Sequence, residues 1–193
     1  AVSDTETRQL FGRKQIYTDV ETITAENVVE VLRKALSDHM GNQGEIQYLW
    51  DYYRGKQPIL YREKKVRSDI CNRIVENRAN EIVSFKVGYL CGEPILYIGR
   101  TGEESVSRAV SELNEMMMSE NKAVQDKRIV EWQCIAGTAY RLVLPDNRGD
   151  EDDAPFELYT LDPRDTFVVY SEDVGGKPMF GVKCTVTEDN DRI

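Results

Sequence analysis

A single histidine, His39, stands in a chain of 193 residues. That leaves little room for a Ser-His or Cys-His dyad, in which an imidazole must take the nucleophile's proton. Cysteine is nearly as sparse: Cys71, Cys91, Cys134 and Cys184 lie far apart and form no CxxC pair. A zinc site needs clustered thiolates or imidazoles, so none is expected, and reduced thiols are the default. No apolar run approaches a membrane span, and the opening AVSDTETRQL has no signal-peptide core. Neither G-x-x-x-x-G-K-[ST] nor G-x-S-x-G occurs, which excludes a phosphate-cradling loop of that kind and a nucleophile elbow. Positive charge is short as well: 25 Lys and Arg against 34 Asp and Glu give a net charge of −9. A protein that grips duplex DNA by neutralising phosphates usually shows the opposite balance. No catalytic residue, cofactor or metal is expected.

What is present is an ordinary globular composition, 40% hydrophobic and 31% charged, long enough for one substantial core. The stretch Asn72–Pro94 organises the rest. On a helical wheel Val75, Ala79, Ile82, Val83, Val87 and Leu90 share one face, which predicts a long central helix over about 72–91. Gly92 is expected to end it in a left-handed cap, with Pro94 discouraging a restart. Lys86 falls inside the apolar arc. It reads either as a side chain that packs its stem and reaches water, or as a charge kept for a neighbouring subunit or nucleic acid.

Ala1–Ile23 is polar and without sustained periodicity, which predicts an arm that is mobile or docks on a neighbour. Thr24 can cap a helix carrying Val28, Val31, Leu32, Ala35 and Leu36, with Gly41 ending it and His39 in its last turn. A second short helix is expected over about 42–54, presenting Ile46, Leu49, Trp50 and Tyr53 on one side, with Gly55 closing it. Further helices are expected over Glu103–Ser119, with Val106, Val110, Leu113 and Met117 on one face, and from Asn121 to about Ala136. Ile95–Ile98 reads as a short strand. After Gly137 the pattern changes: Thr138–Leu144, Phe156–Thr160, Thr166–Tyr170 and Pro178–Thr187 are rich in Val, Tyr, Phe and Thr with turn residues between them. The acidic stretch Pro145–Asp153 fails as a calcium loop, because Arg148 stands where an oxygen ligand is needed. The expected class is α+β, with amphipathic helices packed on an antiparallel β meander. Its expected parts are an arm (1–23), a mainly helical part (24–136) and a β part (137–193).

Aromatic and basic residues interleave between Tyr48 and Arg67. Trp50, Tyr53, Arg54, Lys56, Arg62, Lys64, Lys65 and Arg67, together with Lys86, form a candidate set. Such a mixture could stack on and neutralise a nucleic acid; it is more often a helix face plus a solvated loop, and is equally typical of a protein–protein interface. The interface is the preferred reading.

Three pieces occur in order: Trp50, Tyr52, Tyr53, Gly55, Pro58 and Ile59; then Asn72–Val75 and Asn77; then Gly88, Tyr89, Leu90, Gly92 and Pro94. Their order and spacing over roughly 47–97 resemble the N-terminal, wing region of tailed-bacteriophage (siphovirus-type) portal proteins, with a weaker fit to about Tyr170. The resemblance implies a homo-oligomeric ring, usually of twelve subunits, at one capsid vertex. DNA would pass through its channel without sequence-specific binding. Terminase, scaffold and capsid proteins and a head-completion adaptor would be the partners, and the virion, or the host cytoplasm during assembly, the location. It also implies that stem and clip lie mostly downstream, so that this chain is a fragment. No membrane role is expected. The alternatives are a metal-dependent nucleic-acid-processing enzyme, which would use the basic stretch as its substrate track, and a protein-binding adaptor domain.

Overall fold

The computed structural model describes residues 14–63, 66, 72–101, 103–145 and 155–185. Five strands and four α-helices are found among them. In order they are β1 (Ile16–Thr18), α1 (Val28–Tyr53), α2 (Arg78–Cys91), α3 (Glu104–Ser119), α4 (Lys122–Ala136), β2 (Tyr140–Pro145), β3 (Phe156–Leu161), β4 (Thr166–Ser171) and β5 (Pro178–Lys183). A single 3₁₀ turn, Pro58–Tyr61, follows α1. The α+β class holds.

Two small sheets replace the expected single meander. β2 and β3 form an antiparallel hairpin, while β4 sits at the centre of a three-stranded sheet between β1 and β5. β4 is Thr-Phe-Val-Val-Tyr-Ser, a run of strand-forming residues, buried on the face of Phe167, Val169 and Ser171 and half-buried at Val168 and Tyr170 on the other. β5 pairs with it antiparallel. β1 pairs with it in parallel, Ile16 opposite Val169 and Thr18 opposite Ser171. Within the expected arm, Ile16–Thr18 is a strand docked on this chain's own β4: Ile16 and Thr18 are each 3% exposed. A strand of three residues offers too short an alternation to be read from sequence. Around Ile16, Phe167 and Val169 closes the main core, which Ala35 of α1 completes and Leu36, Phe180 and Val182 flank.

Gly41 does not end a helix. α1 runs unbroken for 26 residues through Gly41 and Gly44. Each interior glycine costs about 1 kcal/mol of helix propensity. The inward stripe Ala35, His39, Asn42 and Ile46, all buried, outweighs that by tertiary packing. His39 is therefore in mid-helix, and Nε2 donates to the carbonyl of Arg164 at 2.8 Å rather than serving a helix end.

α2 is shorter than expected, 14 residues or about 21 Å. Residues 72–77 lie outside it because Asn77 acts as its N-cap, accepting from the amide of Asn80 at 3.3 Å. Asn77 also donates from Nδ2 to the carbonyl of Tyr53 at 2.8 Å, which ties the start of α2 to the end of α1. The inward residues are Ala79, Val83, Val87 and Cys91; Ile82 and Leu90, expected inside, are exposed. Gly92 keeps right-handed helical angles (φ −59°, ψ −44°), not the left-handed cap. Its need for glycine is spatial, since a Cβ there would stand 2.6 Å from the Gly88 carbonyl oxygen.

Ile95–Ile98 is not a strand, because side chains satisfy its backbone. Asn114 of α3 accepts from the Tyr97 amide at 2.9 Å and donates to the Tyr97 carbonyl at 3.1 Å. α3 and α4 form where the periodicity places them. From Ile129 onward α4 is half-buried or buried at every residue except Gln133, and Gly137 closes it in the left-handed region at φ 73°.

Candidate subunit interface

The aromatic and basic candidates separate into two groups. Trp50 and Tyr53 turn inward from the last turns of α1. Trp50 stacks on Trp132 of α4 with ring centroids 4.7 Å apart. The Tyr53 hydroxyl donates to Glu131 Oε1 at 2.9 Å. Burial, with that carboxylate beside it, raises the Tyr53 phenol above its ordinary range. Arg54, Lys56, Arg62 and Lys86 are exposed. Lys56 forms an ion pair with Asp51 at 3.3 Å, and Lys86 sits at the edge of the outer side of α2, not within its buried stripe. Lys64, Lys65 and Arg67 fall outside the described residues, as do residues 146–154 of the acidic stretch and Cys71.

The indole pair has a third member that sequence reasoning missed. The Arg164 guanidinium lies 5.4 Å from the Trp50 ring and 5.6 Å from the Trp132 ring. It also bonds Asp162 through Nε and Nη2 and donates from Nη1 to Gln47 at 2.9 Å. Burial alone would raise the Asp162 carboxyl, but the bonds and charge of Arg164 outweigh it and hold the group below the usual carboxylate range. One arginine thus joins the loop before β4 to α1 and α4.

A second charged cluster lies at the start of α4. Lys122 and Asp126 are 7% and 8% exposed, and Lys122 Nζ contacts Asp126 Oδ2 at 2.5 Å. Arg141 of β2 reaches the other carboxylate oxygen at 2.6 Å. Lys122 also donates to the carbonyl of Ile95 at 3.1 Å and lies 5.2 Å from the Tyr97 ring. Burial pushes Asp126 up; the two cations overcome this, and its net direction is down. The Lys-x-x-x-Asp spacing was a visible helical pair. Its burial was not visible, because it follows from β2 and residues 95–97 closing over it.

A cleft of about 380 Å³ opens between β1, α1, β4 and the turn after α4, lined in part by Lys14, His39, Asn42, Thr138, Phe167 and Tyr170. The His39 ring stacks on Phe167 at 4.4 Å, and its Nδ1 has no hydrogen-bond partner among the described residues. Asn42 is committed to the Lys14 backbone, donating to its carbonyl at 2.8 Å and accepting from its amide at 3.2 Å. Among the described residues no three His, Cys, Asp or Glu side chains stand together as metal ligands, and no helix is long and apolar enough to cross a membrane.

The exposed basic residues, the half-buried indole pair under Arg164 and the buried Lys122–Asp126 pair make up the region's charged and aromatic framework. Residues 34–193 match the family described as phage portal protein, SPP1 Gp6-like. The chain belongs to this family. Curated proteins compared with it give no match. In this portal chain the match begins inside α1 and takes in α2, α3, α4 and β2 to β5. Both charged clusters therefore lie within the portal region. The family is structural rather than enzymatic.

Proposed function

We propose that this portal chain builds part of the wall of a homo-oligomeric ring at one capsid vertex of a tailed phage or prophage. The ring, of about twelve subunits in the usual portal arrangement, forms the head-to-tail connector. DNA passes through its channel during packaging and ejection without sequence-specific binding. Terminase, scaffold and capsid proteins and a head-completion adaptor are its protein partners, in the host cytoplasm during assembly and then in the virion.

The observation that carries this reading is the portal match over residues 34–193. The net charge of −9 supports a DNA path that does not grip, since a strongly basic lining would hold phosphates in a salt-dependent manner. The exposed Arg54, Lys56, Arg62 and Lys86 are the part of the sequence-derived set available to a neighbour, while Trp50 and Tyr53 are committed to Trp132 and Glu131 within the subunit. Negative-stain imaging of the protein from the longest native reading frame tests the proposal. Closed rings with a central hole are expected. Dispersed single subunits at micromolar concentration would refute it.

A further inference from the structure

β4 is longer than the strand on its parallel side. Thr166 to Tyr170 stand opposite β5, whereas β1 reaches only Val169, Tyr170 and Ser171. Three backbone bonds fix which edge each residue of β4 serves. On the β5 side the Ser171 amide donates to Lys177 and the Asp165 carbonyl accepts from Cys184; on the β1 side the Glu172 amide donates to Thr18. Successive residues of a strand turn their N–H and C=O to opposite edges, so Thr166, Val168 and Tyr170 face β1. In this register Ile16 serves the Val168 carbonyl and the Tyr170 amide. The Val168 amide and both backbone groups of Thr166 have no strand opposite them among the described residues.

The same parity shows what the chain before β1 would offer them. Lys14, two residues before Ile16, would turn its amide to the Thr166 carbonyl and its carbonyl to the Val168 amide. One side chain holds both of those groups instead. Asn42 Oδ1 accepts from the Lys14 amide at 3.2 Å, and Nδ2 donates to the Lys14 carbonyl at 2.8 Å. A carboxamide carries the donor and acceptor of a peptide group, so Asn42 stands in for the missing rung of β4. The cleft of about 380 Å³ lies here, with Lys14, Gln15, Asn42, Phe167 and Val168 among its walls.

We propose that Asn42 is a releasable clip and that the start of β1 is a strap poised to close. Lys14 passes from Asn42 to β4, which adds one rung to the parallel pair and narrows the cleft. The exchange gives up two hydrogen bonds at Lys14 and makes two, so a small bias decides it. The bias toward the open state comes from charge. Strand alternation puts the Lys14 side chain on the face of Ile16 and Thr18, which are buried, and an ammonium there needs a partner. Asp38, one helical turn before Asn42 on α1, already lies 3.8 Å from Lys14 Nζ and can accompany it. Thr166 Oγ1 and His39 Nδ1, both buried, have no hydrogen-bond partner among the described residues, so closure breaks no bond of theirs.

Hydrogen–deuterium exchange of the full-length protein, read amide by amide with gentle-fragmentation mass spectrometry, tests the strap. In the wild type the Val168 amide should exchange much faster than that of Tyr170, which Ile16 covers. Asn42→Ala frees Lys14, and Val168 should then slow by about tenfold, as for one backbone bond gained. Tyr170 should stay protected, which shows that β1 remains in place. Lys14→Val keeps the clip and removes the charge from the buried side, so it should slow Val168 in the same direction; it decides the matter if Asn42→Ala loosens β1 as a whole. A Val168 amide as protected as Tyr170 in the wild type would overturn the open edge. Val168 unchanged or faster in Lys14→Val, or in an Asn42→Ala protein whose Tyr170 remains protected, would overturn the strap. Neither result bears on the ring.

Discussion

Replacing Asp126 by asparagine isolates the buried charge cluster at the start of α4. The perturbation removes one negative charge from between Lys122 and Arg141 and changes the shape hardly at all. The Lys122 side chain is only 9% exposed, so water cannot take over the lost partner. Removing one member of a buried ion pair costs about 3–5 kcal/mol. The amide oxygen left by D126N and the Ile95 carbonyl still receive the ammonium, which places the expected loss at about 3 kcal/mol. For a chain of this size each kcal/mol lowers the midpoint by about 2–4 °C, so the drop should be roughly 6–12 °C. Urea unfolding followed by tryptophan fluorescence gives the free energy directly. Hydrogen exchange at residues 95–98 should rise as well, because Lys122 holds that segment. A surface pair provides the comparison: Arg108–Glu112, with side chains 83% and 54% exposed, should lose less than about 1 kcal/mol in E112Q. The folded-state pKa of Asp126 is lowered, so its stabilisation is present above the unfolded carboxylate value of about 3.9 and is lost as pH falls through the folded value. Wild type should accordingly lose stability faster than D126N on acidification through that window, the two curves converging at low pH. A D126N loss no larger than that of E112Q would refute the reasoning.

Arg164→Lys should destabilise by about 2–3 kcal/mol and shift tryptophan emission, because a lysine cannot bond Asp162 through two nitrogens while lying between Trp50 and Trp132; unchanged emission and midpoint would count against that account. Asn77→Ala removes the cap of α2 and the bond to the Tyr53 carbonyl, with an expected loss of about 1–2 kcal/mol in denaturant titration. Gly137→Ala forces a side chain into φ 73° and should cost about 1 kcal/mol, even though no atom crowds the site. In Glu131→Gln the Tyr53 phenol should titrate lower than in the wild type, read by ultraviolet absorbance at high pH; an unchanged titration would mean that burial alone sets it.

The parts legible in the sequence were those written in local periodicity. The extents of α3 and α4, the change of pattern at Gly137 and the strand character of residues 156–161 and 166–171 all follow from side-chain order within a dozen residues. What stayed hidden was set by distant partners. Gly41 reads as a stop until Ala35 and Ile46 are known to lie against one core. Asn77 reads as a polar residue inside a helix until its contact with Tyr53, 24 positions earlier, makes it a boundary. Ile16–Thr18 becomes a strand only beside Val169, some 150 residues away. The inward wheel of α2 was drawn too wide because Ile82 and Leu90 are as apolar as Val83, and periodicity counts apolar residues without distinguishing a core from an outer face. The helix face shared by Ile46, Leu49, Trp50 and Tyr53 was legible, but not its distant partners: Trp132, which stacks on Trp50, and Arg164, which lies over both indoles.

The proposal that this portal chain works as a ring meets its most direct test in absolute mass. Multi-angle light scattering on the size-fractionated product of the longest native reading frame yields the number of subunits without assuming a shape. A single species at about twelve times the subunit mass, unchanged on dilution, is the expected result. A monomer or dimer at every concentration would contradict the ring.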